Sequence, residues 1–351
     1  MKWILEPCPE LDPSYKKNAI ARQAQLTKPL GSLGSLEEIA IQLAHIQQRE
    51  QPSVDQVAIT IFAGDHGIAC EGVSAFPQEV TTQMVMNFLQ GGAAISVMAK
   101  QLNANMEVVD TGMVSPLNKQ KGLISQRAGN GTANMATEAA MTQEQLEKSL
   151  QAGYDAIERA TDNNTSLFIG GEMGIANTTS ATVLFCAFLG LDPDKTTGAG
   201  TGLDNKGIKH KINIIKKVLS IHISECGDST LGWMRCAGGF EIVALTGAYI
   251  HAAQSGIPIL VDGFISSVAA LCAVRINPSI QDYLFFSHLS AEQGHSSVLN
   301  ILNHKPLLNL GMRLGEGSGA AVAATLLQSA CALHNNMATF EEAAVSTKNN
   351  E

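Results

Sequence analysis

Apolar runs of strand length alternate along this chain with longer stretches of helical spacing. Val57-Ala58-Ile59-Thr60-Ile61-Phe62-Ala63 is nearly continuous in apolar character and ends in Gly64-Asp65-His66-Gly67, which predicts a buried parallel strand feeding a loop. The unit recurs: Met106 to Gly112, Ser166 to Glu172 and Pro258 to Gly263 each stop in an acid or a glycine, and Asp282 to His288 is a fifth candidate. Helical stretches fall between them over 79–102, 142–161, 177–189, 205–220, 239–255 and 290–303. Alternation of this kind predicts an α/β fold, a doubly wound parallel sheet with ligands collecting beyond the carboxyl ends of its strands.

The two ends of the chain read differently. Residues 10–27 are helical in composition, and Lys28-Pro29-Leu30-Gly31-Ser32-Leu33-Gly34 breaks them off. Ser35 then predicts an N-cap, with Glu38 completing a capping box, for a helix running to about Gln48. No strand separates these helices, so they form a small helical appendage. Toward the other end, Gly311-Met312-Arg313-Leu314-Gly315-Glu316-Gly317-Ser318-Gly319-Ala320 sets one carboxylate among glycines before an Ala-rich apolar run. A helix starting near Ser318 leaves Glu316 on the turn before it, where a ligand can approach closely and a held carboxylate can serve as a general base. The plainer alternative is a tight turn whose acid faces the helix dipole, worth a few tenths to about 1 kcal/mol. The polar tail from Thr339 to Glu351 is expected to fray.

Bulk properties narrow the classes. At 351 residues the chain can form one large α/β domain or two domains, and an aromatic share of 5% leaves the core to Ala, Ile, Leu, Val and Met. A net charge of -9, with no basic run longer than two residues, excludes a nucleic-acid backbone as partner but not a small anion. The seven cysteines, Cys8, Cys70, Cys186, Cys226, Cys236, Cys272 and Cys331, are scattered and never form a C-x-x-C arrangement, so they read as buried free thiols of a reducing, cytoplasmic compartment. Met1 to Pro7 lacks the pattern of a signal peptide. The most apolar region, Ile242 to Val274, is interrupted by His251, Gln254, Pro258 and Asp262, as a core rather than a membrane span would be.

Three constellations carry candidate chemistry. Gly170-Gly171-Glu172-Met173-Gly174-Ile175-Ala176-Asn177-Thr178-Thr179-Ser180 joins an apolar strand to a helix rich in small polar residues, which makes either a phosphate cradle or an ordinary capped helix. It is not a P-loop, because no Gly-Lys-Ser/Thr follows. Gly198-Ala199-Gly200-Thr201-Gly202 is a second Gly-rich loop, followed by Lys206, Lys209 and Lys211. His288, Glu292 and His295 fall at i, i+4 and i+7, and a helix would bring them to one face as a metal site requires. The candidate strands end in single acids, Asp110 and Asp262, rather than the adjacent pair used in Mg²⁺-dependent pyrophosphate chemistry.

Taken together and in order, the motifs resemble those of the nicotinate-nucleotide:dimethylbenzimidazole phosphoribosyltransferase family, over nearly the whole chain. The resemblance rests on Lys28 to Gly34, Gly64 to Gly67, Gly171 to Thr179, Gly238-Gly239-Phe240-Glu241, Val261 to Phe264, Ser287 to Glu292 and Arg313 to Ala320. It implies a Rossmann-like sheet domain, residues 55–325, with a small helical domain built from residues 1–54 and 326–351, and a homodimer. It further implies that Glu316 is the catalytic base. The donor phosphate falls to Glu172, Gly174, Asn177, Thr178 and Thr179, to Gly200 and Gly202 and to Lys211, and the aromatic base to Phe76, Met84 and Leu314. Neither a metal nor an organic cofactor is implied.

The implied reaction moves the 5-phosphoribosyl group from nicotinate mononucleotide to 5,6-dimethylbenzimidazole, giving α-ribazole 5′-phosphate and nicotinate for the nucleotide loop of cobalamin. Nicotinate joined through its ring nitrogen is cationic and leaves as a neutral ring, so the donor needs no metal activation. The acceptor gains charge as one nitrogen attacks, and a base must take the proton from the other. Two rival classes are a metallohydrolase built on His288, Glu292 and His295, and a nucleotide-binding sensor using the same two Gly-rich loops without turnover.

Overall fold

The protein is described from a computed structural model, and the residues described are 1–200 and 202–346. Among these residues the strands are β1 Val57–Gly64, β2 Asn105–Gly112, β3 Leu123–Ser125, β4 Leu167–Met173, β5 Ile259–Val261, β6 Leu284–His288 and β7 Pro306–Leu308. All pairings are parallel, in the order β3-β2-β1-β4-β5-β6-β7. Every residue of β1 and of β4 is buried, which explains the continuous apolar runs: both faces of these central strands are covered by helices. The strand order reverses between β1 and β4, the place where open α/β sheets gather ligands.

The helical appendage consists of α1 Pro13–Gln25 and α2 Ser35–Gln47. After β1 come α3 Glu79–Gln90 and α4 Ala94–Gln101, and α5 Gln143–Asp162 precedes β4. The segment between β4 and β5 holds α6 Asn177–Leu189, α7 Pro193–Thr196, α8 Asn205–Cys226, α9 Thr230–Ala237 and α10 Phe240–Gln254. Then follow α11 Phe264–Ile276, α12 His295–Ile301 and, last, α13 Ser318–Asn336. This last helix packs against α2. The two chain ends are also stitched by backbone bonds, Thr27 N to Ala338 O at 3.0 Å and Phe340 N to Gln25 O at 2.9 Å. Arg22 donates to the carbonyls of His334, Asn335 and Met337 and so closes the C-terminal end of α13.

Several local expectations need correction. The stretch 79–102 is two helices, because Gly91 at φ 82° ends α3 in the left-handed conformation. Residues 290–294 are not helical: the Ser290 N–H donates to His295 Nδ1 at 2.8 Å, and the helix starts only at His295. Ser35 is not an N-cap and makes no capping box with Glu38; Gly34 takes the cap position at φ 55°. The nearby acid that matters is Glu37, which accepts from the Leu33 N–H at 3.0 Å and pairs with buried Lys28 at 2.8 Å. β3, β7, α9 and α11 escape the sequence pattern. The two strands have only three residues each, and α11 is apolar on nearly every face because it is buried on nearly every face.

All seven cysteines are free thiols, but not all are buried: Cys8 is half-buried and Cys70 exposed. Among the described residues no helix is long and apolar enough to cross a membrane.

Candidate active site

Glu316 stands in a backbone turn that few residues adopt. Gly315, Glu316 and Gly317 have φ of 84°, 66° and 82°, three left-handed residues in succession, and the middle one carries a side chain. A left-handed non-glycine residue costs roughly 1–2 kcal/mol, so its neighbours must hold it. Asp262, at the end of β5, does so from below. Its Oδ2 accepts the Gly317 N–H at 3.1 Å and its Oδ1 the Ala320 N–H at 2.8 Å, which caps α13 from another strand. Glu172, near the end of β4, accepts the Glu316 N–H through Oε1 at 3.4 Å. The turn can lie this close to β4 because residue 171 is glycine: a Cβ there would come within 2.5 Å of the Glu316 carbonyl oxygen.

These contacts gather acids out of water. Glu316 is 6% exposed, and burial, with a smaller push from the charge of Asp262, raises its carboxyl to about 7. Glu172 is held well above the ordinary carboxylate range, first by burial and then by the charges of Glu241 and Asp262. Its Oε2 accepts a hydrogen bond from the Asn177 side chain, at the first position of α6. Burial thus disfavours the charged form of Glu172, while Glu316, at about 7, is poised between its two states near neutral pH. A carboxylate in that balance suits proton abstraction near physiological pH.

A cavity of about 440 Å³ opens beside this turn, within the usual size range of small-molecule sites. It brings together nine of the twelve residues singled out in the sequence: Glu316, Glu172, Gly174, Asn177, Thr178 and Gly200, and on its apolar side Phe76, Met84 and Leu314. Phe76 and Leu314 are more than half exposed and form apolar lips. Lys211 stands behind the wall rather than on it. Its ammonium donates to Thr178 Oγ1 at 2.7 Å, and a Cβ on Gly200 would lie 3.1 Å from Nζ. Burial lowers Lys211 to about 8, against the raising influence of the nearby Glu292 charge. Thr179 is fully buried and off the cavity, its hydroxyl without a hydrogen-bond partner, and Gly202 also lies away from it. Thr201, within the second Gly-rich loop, lies outside the described residues.

His288, Glu292 and His295 do not share a helix face. His288 ends β6, Glu292 lies in the following loop and His295 is the first residue of α12. Both ring nitrogens of His295 are engaged, with Ser267 Oγ at 2.9 Å and the Ser290 N–H at 2.8 Å, and burial lowers it to about 3, so it is neutral. His288 packs under the first turn of α13, where a Cβ on Gly319 would lie 2.2 Å from its ring. Of the three, only Glu292 lines the cavity. Asp110 is likewise committed, accepting the Gly112 and Met113 N–H groups and pairing with Arg127 at 2.6 Å.

Three features have roles that the sequence reading does not give them; Asp65-His66, which reads there as a possible addition to the metal site or a cap of the loop after β1, is one. The His66 ring meets Glu241 at 2.5 Å in a fully buried pair beside Glu172. Asp262 reads in the sequence as a strand-end acid, and in the structure it is the cap that fixes the turn of Glu316. Arg313 and Ser290 add polar groups to the cavity wall. Strand-end acids and the glycine pairs before α6 and α10 were the only signals available for the first two.

Comparison with known proteins places this geometry in context. A phosphoribosyltransferase family profile matches residues 8–345. Enzymes named nicotinate-nucleotide–dimethylbenzimidazole phosphoribosyltransferase from Pseudomonas putida and Pseudomonas syringae pv. syringae are each 54% identical over 346 residues, covering 99% of this chain and 98% of the relative. The crystal structure of the enzyme of that name from Thermus thermophilus superposes with a TM-score of 0.91 at 41% identity, covering 96% of this chain and all of that one. A second structure from the same organism, of CobT, gives 0.92 at 42% identity.

Proposed function

The chain belongs to the nicotinate-nucleotide–dimethylbenzimidazole phosphoribosyltransferase family, and on that footing we propose that it transfers the 5-phosphoribosyl group of nicotinate mononucleotide to 5,6-dimethylbenzimidazole in cobalamin synthesis. The observation that carries the residue assignment is Glu316: a buried carboxyl raised to about 7, fixed in a strained turn on the wall of the cavity that also holds Thr178 and Gly200.

In this reading the donor phosphate takes the N-terminal end of α6, where helix-end N–H groups favour an anion, together with the Gly200 loop. Lys211 and Thr178 form a prepared cationic pair at that end. The acceptor base lies against Phe76, Met84 and Leu314. One acceptor nitrogen attacks C1′, the C1′–nitrogen bond to nicotinate breaks with its electrons returning to the pyridine ring, and Glu316 takes the proton from the other acceptor nitrogen. Attack from the face opposite nicotinate inverts the β donor to the α product. Burial and the neighbouring acids Glu241 and Asp262 disfavour a second negative charge on Glu172 beside Glu316. A positioned base of this kind contributes roughly 10²- to 10⁴-fold in rate.

The same reading divides the chain into a Rossmann-like domain over 55–325 and a helical domain from residues 1–54 and 326–351, with the division falling inside α13. It also makes the working unit a homodimer in the cytoplasm. Incubating the purified protein with nicotinate mononucleotide and dimethylbenzimidazole, with mass spectrometry of the products, tests it directly. Release of nicotinate with formation of α-ribazole 5′-phosphate is expected. Nucleotide binding without nicotinate release would make the protein a sensor instead.

A further inference from the structure

A second group of chemically capable side chains lies where α8 turns into α9, outside the cavity. One ring nitrogen of His222, one carboxylate oxygen of Glu225 and the sulfur of Cys236 lie within 4.8 Å of one another. His222 and Glu225 are three residues apart near the C-terminal end of α8, and Cys236 comes back from α9 to meet them. Cys226, at i+4 from His222, lies close enough to Cys236 for the two thiols to influence each other, which makes it the nearest candidate for a fourth position outside that group of three.

The surroundings favour a cation. Arg235 already places its guanidinium between two of these donors, paired with Glu225 and 3.5 Å from Cys236 Sγ. With side-chain exposures of 24% and 57%, Arg235 and Glu225 can separate toward solvent without disturbing the core. His222 is buried, and its Nε2 faces the Met135 carbonyl at 2.8 Å. Donation from Nε2–H to that carbonyl fixes the tautomer and leaves Nδ1 with the free lone pair, the arrangement by which backbone carbonyls orient metal-binding histidines. A sulfur, nitrogen and oxygen set selects a thiophilic, borderline cation over Mg²⁺ or Ca²⁺. Around tetrahedral zinc such donors stand roughly 3.3–3.7 Å apart, so donors within 4.8 Å of one another need a small closure, made by the exposed Glu225 side chain and by a slight approach of α8 and α9.

We propose that His222, Glu225 and Cys236, with Cys226 as fourth donor, form a structural site for a thiophilic divalent cation such as Zn²⁺ that clamps α8 to α9. Binding exchanges the Arg235 guanidinium for the metal and releases the cysteine thiol protons to solvent, with no redox change. The clamp is independent of the transferase reaction. Its effect is on the rigidity of two helices, one carrying Lys211 and the other leading through Gly238-Gly239 to Glu241.

The test uses the full-length protein, reduced, stripped with EDTA and desalted. Zn²⁺ is titrated against a chromogenic chelator, and metal retained after a second desalting is measured by mass spectrometry. About one equivalent per chain is expected, with a higher thermal midpoint, and folded Cys236→Ser and His222→Gln should bind roughly 10- to 100-fold more weakly. Cys272→Ser, a buried thiol elsewhere, should bind as wild type. Should Cys236→Ser fail to fold, Co²⁺ added to wild-type protein reports ligation directly, through thiolate charge-transfer bands and tetrahedral d–d absorption. Retention well below one equivalent, equal binding by a folded Cys236→Ser variant, or a Co²⁺ spectrum without thiolate bands overturns the assignment.

Discussion

Asp262 holds Gly317: its carboxylate accepts the Gly317 N–H at 3.1 Å and so reaches, from the end of β5, the residue immediately after Glu316. Its other oxygen caps α13 at the Ala320 N–H, and its charge helps to raise the Glu316 carboxyl. Asp262→Asn should therefore do two things at once. Losing one of two cap bonds costs about 1 kcal/mol of stability, seen as a lower midpoint in urea. Losing the charge moves the acid limb of the pH–rate profile to lower pH, modestly, because burial is the larger cause. An unmoved limb would show that Asp262 acts on Glu316 through geometry alone.

Glu316→Gln keeps the size of the side chain and removes the base. Turnover should fall roughly 10²- to 10⁴-fold while nucleotide affinity, followed by calorimetry, stays near that of wild type. Wild-type turnover in this variant would remove Glu316 from the chemistry.

The same residue ties activity to pH in one direction and stability in the other. With Glu316 at about 7, turnover should drop about tenfold per unit as pH falls below that value. Stability runs oppositely. The folded carboxyl binds its proton more tightly than the unfolded one, whose ordinary value is 4.5, so this stabilising term is complete below 4.5 and is lost as pH rises through about 7. Glu316→Gln should abolish that part of the pH dependence and be more stable than wild type at pH 8 by about 1–3 kcal/mol. Parallel urea melts at pH 5 and pH 8 measure it. A gap between the two proteins that does not widen with pH would contradict the raised value.

How much of this was legible beforehand depended on how local each cause is. β1 and β4 could be read because burial on both faces makes a run continuously apolar, and the Gly315-Glu316-Gly317 turn because glycines mark positive φ. α11 could not, since a helix apolar on nearly every face loses its period. Nor could the Asp262 cap or the Glu172 contact to the Glu316 N–H, whose partners lie 55 and 144 residues apart. His288, Glu292 and His295 show the reverse error, a spacing that matched a helix in a segment that a strand end and a loop interrupt.

Gly171 tests the closeness of β4 to the turn. Gly171→Ala would set a methyl 2.5 Å from the Glu316 carbonyl oxygen and 2.4 Å from Ile61 Cδ1, so something must shift. The isoleucine can rotate; the strained turn has less freedom. Destabilisation of about 1–3 kcal/mol is expected, with a loss of turnover at saturating substrate that a simple core defect would not cause. Wild-type kcat in a folded Gly171→Ala protein would mean that the turn tolerates displacement.

Lys211 separates binding from chemistry. Its ammonium is buried, lowered to about 8 and bonded to Thr178 Oγ1, with Glu292 the nearby charge that favours its cation. Two roles fit a buried lysine: a structural cation balancing Glu292, or a charge held ready for the donor phosphate. They diverge in the kinetics. If the phosphate is its partner, Lys211→Ala loses a charged hydrogen bond of about 1.5–3 kcal/mol, roughly ten- to hundredfold in KM for the mononucleotide. Because phosphate and Lys211 meet equally in the ground and transition states, kcat should change little, and KM for the acceptor should stay unchanged. If the role is structural, Lys211→Met, which keeps the chain's apolar bulk, restores stability and leaves KM where it was. An unchanged KM in both variants removes Lys211 from the phosphate site and leaves that role to Thr178 and the Gly200 loop.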